Sequence, residues 1–202
     1  MTEETTRTPR LKPIERRAFL RYSLFGATSA GLGGFALSAL GFMWPRPGDG
    51  LSGEVPLGIA ADLAAEIIAT RAPIRVPEGG ISILVWNPQT SGAMAAYGDG
   101  HQAVLDDTTA LMALNTQSCP HLGCAVPWCQ TSQWFECPCH GSRYNRYGEW
   151  TDGPAPRGLD RYPSFIDDDG QFVVDVSNML SGPARTANVL EQPPEGPNCV
   201  DV

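Results

Sequence analysis

CPHLGC at residues 119–124 and CPCHGS at residues 137–142 are the two stretches that decide how this chain folds. We refer to them as the first and the second box. Together they supply two thiolates, two imidazoles and a further pair of cysteines within 24 residues. A [2Fe–2S] cluster with two cysteines on one iron and two histidines on the other needs this ligand set. The two boxes therefore predict an iron–sulfur site.

The boxes resemble those of Rieske iron–sulfur proteins of the cytochrome bc type, which carry C-x-H-x-x-C and C-x-C-H. The resemblance continues through Ser142 and Tyr144 in GSRY, GPAP at residues 153–156 and Leu159, and it covers roughly residues 81–176. Membership of that family implies a mainly β fold. It would be a small antiparallel domain with cluster-binding loops, preceded by a single N-terminal transmembrane helix.

The same resemblance implies a role for every cysteine and histidine of the boxes. The implied ligands are two cysteines on one iron and two histidines on the other: Cys119, Cys137, His121 and His140. It also implies a disulfide between Cys124 and Cys139. A structural zinc site is the alternative, because zinc accepts two cysteines and two histidines. Zinc explains neither the second cysteine pair nor the GPAP segment.

Histidine ligands would give such a site its chemistry. Oxidised iron lowers the pKa of a bound imidazole and reduction raises it, so an electron can arrive together with a proton on His121 or His140. Hydroquinone oxidation requires this coupling, because a quinol loses both. By resemblance, Ser142 and Tyr144 donate hydrogen bonds to a bridging sulfide and to a cysteine sulfur, which raises the reduction potential. We therefore expect a high-potential centre.

Four residues are expected to shield the cluster from solvent: Leu122, Gly153, Pro154 and Pro156. Leu122 lies in the first box, and the two prolines would stiffen a neighbouring loop because proline restricts the backbone. This arrangement would cover the sulfides and leave the histidine edges exposed.

The N-terminal region predicts a membrane anchor. Residues 1–21 hold six basic residues against three acidic ones, and residues 22–44 are uncharged and long enough to cross a bilayer as a helix. The basic flank predicts a cytoplasmic N-terminus, with the head on the outer or periplasmic side of the plasma membrane. RRAFL at residues 16–20 is typical of a twin-arginine export signal; an ordinary anchor with basic flanks is the alternative. Trp44 favours a retained helix over a cleaved one.

The rest of the chain is acidic, with eight basic and nineteen acidic residues. This composition excludes a nucleic-acid-binding protein, which needs a basic surface, and permits docking to a basic partner. A Gly- and Pro-rich stretch after the anchor predicts a flexible hinge. The expected order is a cytoplasmic twin-arginine region (1–21), a transmembrane anchor (22–44), a hinge linker (45–58), a Rieske [2Fe–2S] domain (59–178) and a polar tail (179–202).

Periodicity predicts a few regular elements inside the domain. A short helix is expected over residues 60–71. Strands are expected at residues 81–86, 103–105, 110–114 and 134–136. Residues 165–166 and 172–176 flank a DDDG turn and predict a hairpin. The tail after Met179 is expected to be extended or disordered.

Cys129 and Cys199 complete the six cysteines. The family pattern requires neither of them. In an oxidising compartment they can pair and fix the tail near the boxes, or they can remain separate thiols. The sequence leaves both alternatives open.

These features predict the electron-transfer subunit of a respiratory or photosynthetic cytochrome bc-type complex. It would take an electron and a proton from quinol at the interface with a cytochrome b-type membrane subunit. It would then pass the electron to a c-type cytochrome or a cupredoxin. The chain would be a subunit of a quinol–cytochrome c oxidoreductase, without a complete active site of its own. The alternative is a Rieske subunit of another oxidoreductase, such as a molybdenum enzyme.

Overall fold

The N-terminal helix α1 spans Arg16–Met43 and belongs to a unit separate from the rest of the chain. The computed structural model describes residues 15–43, 51–89, 101–185 and 190–201. With 28 residues, α1 is about 42 Å long, more than the ~30 Å hydrocarbon core of a bilayer. It is long and apolar enough to cross a membrane. The helix begins before the predicted anchor, whose last residue, Trp44, lies outside the described residues.

The second unit, Asp49–Val202, contains one α-helix and three antiparallel sheets in its described residues. In chain order the elements are β1 (Glu54–Ile59), α2 (Ala60–Thr70), β2 (Ile74–Val76), β3 (Ile81–Trp86), β4 (Ala103–Asp106), β5 (Thr109–Asn115), β6 (Trp128–Cys129), β7 (Trp134–Glu136), β8 (Arg143–Tyr144), β9 (Trp150–Asp152), β10 (Arg161–Tyr162), β11 (Ser164–Ile166) and β12 (Gln171–Asp175). The sheet orders are β1-β12-β11, β10-β5-β3-β2 with β4 also on β5, and β6-β7-β8-β9.

The central pair β3 and β5 separates two hydrophobic cores. Side chains alternate between the faces of a strand, so Ile83 and Leu111 enter the core beneath α2. Their neighbours Leu84 and Met112 enter a second core. That second core also contains three residues of the predicted site: Cys119, Cys137 and Tyr144. One face of the β3–β5 pair therefore lies in the same core as the first cysteine of each box.

The linker prediction is wrong for residues 54–58, because they belong to β1. Val55 pairs with Val174 of β12 in an antiparallel register. Pro56 is tolerated because β1 lies at the edge of its sheet and proline cannot donate to a neighbouring strand. The Gly and Pro content of this stretch suggests a linker, and the strand becomes evident only from its pairing with β12.

The stronger periodic signals were predicted well. α2 and strands β3, β4, β5 and β7 lie where the sequence placed them, and β11 and β12 form the expected hairpin. Five strands of two or three residues were missed: β2, β6, β8, β9 and β10. Such segments are too short to show an alternating pattern, although β7 and β11, each of three residues, were predicted.

The described part of the C-terminal tail, residues 180–185 and 190–201, packs against the domain without forming a regular helix or strand. Of the two expected alternatives, extended or disordered, disorder is therefore wrong for these residues. Leu180 and Ala184 form isolated β-bridges with the domain. Leu190 is buried in the core that contains the boxes. Cys129 and Cys199 are bonded to each other in a disulfide, which resolves the alternative left open by the sequence. The polar composition of the tail reflects contacts with charged and backbone groups.

Candidate metal centre

The first box lies in the connection between β5 and β6. The Cys119 N–H donates to the Cys124 carbonyl (2.7 Å), and the Gly123 N–H donates to the Cys119 carbonyl (2.8 Å). Gly123 has a φ of +83°, which glycine adopts without steric strain. The two bonds close residues 119–124 into a tight loop.

The second box connects β7 to β8 and repeats this pattern. The Cys137 N–H donates to the Ser142 carbonyl (2.8 Å), and the Gly141 N–H donates to the Cys137 carbonyl (3.1 Å). Gly141 also has a positive φ, +70°. The two boxes are therefore two copies of one loop geometry, each starting at a candidate cysteine ligand.

The candidate cysteine ligands are buried, whereas the candidate histidine ligands lie nearer to solvent. Cys119 and Cys137 are 3% and 2% exposed, and both are free thiols. The rings of His121 and His140 lie 4.8 Å apart between centroids, at an angle of 85°. His121 is half-buried and His140 is exposed. Leu122, beside His121, is 71% exposed and stays outside both cores.

Cys124 and Cys139 form a disulfide with an S–S distance of 2.07 Å. This is the pairing implied by the family resemblance, and it joins the two boxes directly. The sulfur of Cys137 lies within 4.8 Å of both disulfide sulfurs. Disulfide sulfurs are not thiolates, and the thiolate is the form that binds metal. Cys137 is therefore the one member of this trio that can serve as a ligand.

Tyr144 places a hydroxyl beside a candidate ligand. The side chain is fully buried, and its Oη lies 3.1 Å from Cys119 Sγ. Burial, followed by the proximity of Cys119, raises the pKa of Tyr144 well above its usual value. The phenol therefore stays protonated, and it can donate to the sulfur when Cys119 is a thiolate. Burial also raises the pKa of Cys137, so a cation is needed to hold that thiol as a thiolate.

The residues that follow β9 close over the second box. Gly153 has a φ of +88°, and a Cβ at this position would lie 2.5 Å from Ser142 Cα. The buried Ser142 Oγ accepts a hydrogen bond from the Ala155 N–H (3.1 Å). Ala155 is buried, and Pro154 and Pro156 on either side of it are exposed. We call residues 153–156 the proline loop.

Two residues that sequence reasoning missed hold the proline loop from outside. The Gly153 carbonyl accepts hydrogen bonds from Arg185 Nη2 (2.8 Å) and from Trp150 Nε1 (3.2 Å). The Arg185 guanidinium also lies over the Trp150 ring, 3.9 Å from its centroid. Arg185 follows Gly153 by 32 residues, so no local pattern could have linked them.

Comparison with known proteins identifies the family to which a chain with this arrangement belongs. A family model described as "Rieske [2Fe-2S] domain" matches residues 62–163, just over half of the chain. The chain belongs to the Rieske family. This Rieske chain is 30% identical over 169 residues to "Cytochrome b6-f complex iron-sulfur subunit 2" of Synechocystis sp., covering 83% of this chain and 87% of that relative.

Two further similarities extend the comparison. The chain is 34% identical over 160 residues to "Cytochrome b6-f complex iron-sulfur subunit" of Synechococcus sp., covering 78% of this chain and 85% of the relative. Among solved structures, it is similar to the cyanobacterial plasma membrane Rieske protein PetC3 from Synechocystis PCC 6803. There the identity is 25%, the TM-score is 0.37, and the alignment covers 60% of this chain and 98% of the other.

The cofactor of this Rieske chain is a Rieske-type [2Fe–2S] cluster, and the residues present fit it. Two free buried thiols and two histidine rings match the nitrogen and sulfur ligands of such a cluster. The hydroxyl on Cys119 Sγ is a donor aimed at a sulfur that would carry negative charge. The zinc alternative is set aside, since it accounts for neither the disulfide between the boxes nor the family match.

Proposed function

We propose that this chain is the electron-transfer subunit of a respiratory or photosynthetic cytochrome bc-type complex. The observation that carries the proposal is the division of the site into buried thiols and outward imidazoles within a Rieske domain. The relatives named as cytochrome b6-f iron–sulfur subunits support the same class of complex. In this proposal the chain takes one electron, with a proton, from a quinol and passes the electron to an acceptor protein.

Four residues hold the cluster in this proposal. The thiolates of Cys119 and Cys137 would bind one iron from the buried side, and the imidazoles of His121 and His140 would bind the other from the solvent side. When bound, the cluster accepts and releases one electron. Burial of the two thiols excludes water from the sulfur side, which limits oxidation and loss of the metal.

The two histidines are the groups that handle the proton. Each imidazole has two nitrogens, so a ring that binds metal through one keeps the other for proton exchange. His140 is the more exposed of the two rings, so we assign it the direct contact with a quinol hydroxyl. His121, whose ring lies 4.8 Å away, is the second proton-carrying group at the same surface.

Ser142 and Tyr144 set a high reduction potential in this proposal. The Ser142 Oγ already accepts the Ala155 N–H, so its own hydrogen is available to donate toward a bridging sulfide. The Tyr144 hydroxyl lies 3.1 Å from Cys119 Sγ and would donate to this sulfur as a thiolate. Donors of this kind stabilise added negative charge on sulfur, which favours the reduced form.

Solvent is kept from the cluster by residues on two loops. Gly153, Pro154 and Pro156 belong to the proline loop, which is fastened to the second box by Ser142. Leu122 projects from the first box with most of its surface exposed. We assign Leu122 to an apolar contact that closes over the histidine edges when a partner protein docks.

The partners follow from this placement. We propose a cytochrome b-type membrane subunit that shares the quinol site, and a c-type cytochrome or cupredoxin that accepts the electron. Helix α1 anchors the chain as a single-pass protein of the plasma membrane, with a cytoplasmic N-terminus and the head on the outer or periplasmic side. RRAFL at residues 16–20 directs export of the folded, cluster-loaded head by a twin-arginine route. The acidic head suits a basic acceptor surface.

Purification of the membrane complex through a tag on this chain tests the proposal. We expect a reduced-state Rieske EPR signal, b-type haem in the optical spectrum, and quinol-dependent reduction of the cluster. The matched control is Cys137→Ser, which removes one ligand and should abolish the EPR signal. Co-purification of a molybdenum enzyme instead of a b-type cytochrome would overturn the assignment to a cytochrome bc-type complex.

A further inference from the structure

The second box is flanked by two charged residues that both bond the C-terminal tail. Glu136 ends β7, Arg143 begins β8, and the two face each other across the strand pair. Glu136 Oε2 accepts the Val200 N–H (2.8 Å), and Arg143 Nη2 donates to the Val200 carbonyl (2.8 Å). One residue of the tail thus bridges the two ends of the loop that carries Cys137.

Glu136 is fully buried and directly precedes Cys137. Its carboxylate accepts hydrogen bonds from the Cys199 N–H (2.8 Å) and the Ser132 hydroxyl (2.6 Å), in addition to the Val200 N–H. Two of these three donors come from the tail. A buried carboxylate that loses its donors is strongly destabilised, so the tail supplies what this carboxylate requires.

Two further bonds hold the tail in place. Cys129, at the end of β6, forms a disulfide with Cys199. Thr131 Oγ1 donates to the Pro197 carbonyl (2.7 Å). The carboxylate of Glu136 lies near both sulfurs, but a disulfide offers no thiolate to a metal. The group of Cys129, Glu136 and Cys199 therefore attaches the tail to β6 and β7 and does not serve as an ion site.

We propose that residues 197–200 form a C-terminal clamp that positions Cys137, with Glu136 as the positioning residue through which the clamp acts. The clamp joins Glu136 and Arg143, the residues that flank the second box, through their hydrogen bonds with Val200. It thereby limits water access to the sulfur of Cys137. It also keeps Ser142, the last residue of the box, oriented to donate toward a bridging sulfide of the proposed cluster. This inference rests on the proposed function, in which Cys137 binds the cluster.

Three changes to the full-length protein test the clamp. Cys129→Ser combined with Cys199→Ser opens the disulfide, a stop after Asn198 removes both tail donors, and Glu136→Ala removes the shared acceptor. We expect the disulfide and stop variants to lower the cluster's midpoint potential, because Ser142 is no longer held in place. Glu136→Ala also removes a negative charge beside Cys137, which by itself favours the reduced cluster, so this variant is judged by cluster loss alone. We also expect loss of the Rieske EPR signal to accelerate about tenfold, equivalent to ~1.4 kcal/mol. Glu136→Gln keeps an acceptor oxygen for the tail and a polar group for Ser132, so it should retain the cluster almost as the wild type does.

Glu195→Gln is the matched control. Glu195 lies in the same tail and forms ion pairs with Arg71 and Arg146. Among the described residues its side chain forms no hydrogen bond with Glu136 or Val200. This variant should leave the midpoint potential and the rate of cluster loss unchanged.

The outcomes separate this inference from the proposed function. A wild-type protein without a reduced-state Rieske signal overturns both. A normal wild-type signal with unchanged potential and cluster retention in the disulfide and stop variants overturns the clamp alone. If Glu136→Ala fails to fold, those two variants decide, because they leave Glu136 in place. A loss in Glu195→Gln equal to theirs would also overturn the clamp, since it would indicate a general effect of tail docking.

Discussion

The phenol of Tyr144 lies 3.1 Å from the sulfur of Cys119, with both side chains buried. The hydroxyl belongs to β8 beside the second box, and the sulfur belongs to the first. This contact therefore crosses between the boxes, independently of the disulfide. Because the pKa of Tyr144 is raised by burial and by Cys119, the hydroxyl remains a donor across the physiological pH range.

Tyr144→Phe should lower the midpoint potential while the cluster stays assembled. Loss of a hydrogen bond to a charged sulfur costs ~1.4 kcal/mol, which for one electron corresponds to about 60 mV. Redox titration followed by EPR measures the shift. Tyr147→Phe is the control, because Tyr147 is a part-buried tyrosine in the turn after β8. Equal potentials in Tyr144→Phe and the wild type would contradict the assigned role.

Ser142→Ala should also lower the midpoint potential, by about the same 60 mV. It removes the proposed donor to sulfide and leaves the Ala155 N–H without its acceptor. Ser164→Ala is a matched control: Ser164 is a buried serine of β11 whose hydroxyl has no partner in the described part of the chain. A shift of similar size in both variants would show that the effect is not specific to the site.

Gly153→Ala should destabilise the head and disturb the second box. Its new Cβ would meet Ser142 Cα at 2.5 Å with a φ of +88°. Gly170→Ala is the control, because Gly170 has a φ of +76° but open space around it. Both variants carry the ~1–2 kcal/mol cost of a left-handed backbone, and only Gly153→Ala adds about 1–3 kcal/mol of overpacking. Denaturant unfolding measures the difference, and equal losses would argue against close contact of the proline loop with the box.

Removing the Cys124–Cys139 disulfide should lower the free energy of unfolding less than removing Cys129–Cys199, yet it should speed loss of the cluster more. The Cys124–Cys139 bond closes a 15-residue separation and the Cys129–Cys199 bond a 70-residue one. Chain entropy gives about 3 and ~4 kcal/mol for these two loops. Cys124→Ser with Cys139→Ser should nevertheless lose the EPR signal faster than the other double variant, because it frees the boxes from each other. The reverse order would contradict a direct role in holding the cluster.

The sequence was most informative where function restricts residue types. The boxes could be recognised because a [2Fe–2S] cluster of this kind needs their ligands. Ser142, Tyr144 and GPAP could be recognised because they resemble the corresponding residues of the Rieske family. Helix α2 was predictable because its apolar residues recur with a helical period, and strands β3 and β5 were predictable as short, nearly continuous apolar runs. Each of these signals is contained within a few neighbouring residues.

Three features that the sequence missed or left open depend on contacts distant in sequence. β1 is specified by its pairing with β12, while its own Gly and Pro content suggests a linker. The pairing of Cys129 with Cys199 and the seating of Val200 between Glu136 and Arg143 join segments more than 50 residues apart. The polar residues of the tail suggest solvent exposure, because the sequence does not show the distant groups with which the tail forms hydrogen bonds.

The nearness of Cys137 to the disulfide has a consequence for how the protein matures. Its sulfur lies within 4.8 Å of both bonded sulfurs, a distance at which a free thiolate could attack and reshuffle the bridge. The raised pKa of Cys137 keeps that thiol protonated and slows the exchange. Binding to iron, as proposed for Cys137, would leave no free thiolate at this position to attack the bridge. We therefore expect that loading the cluster before the Cys124–Cys139 bond forms favours the native cross-links.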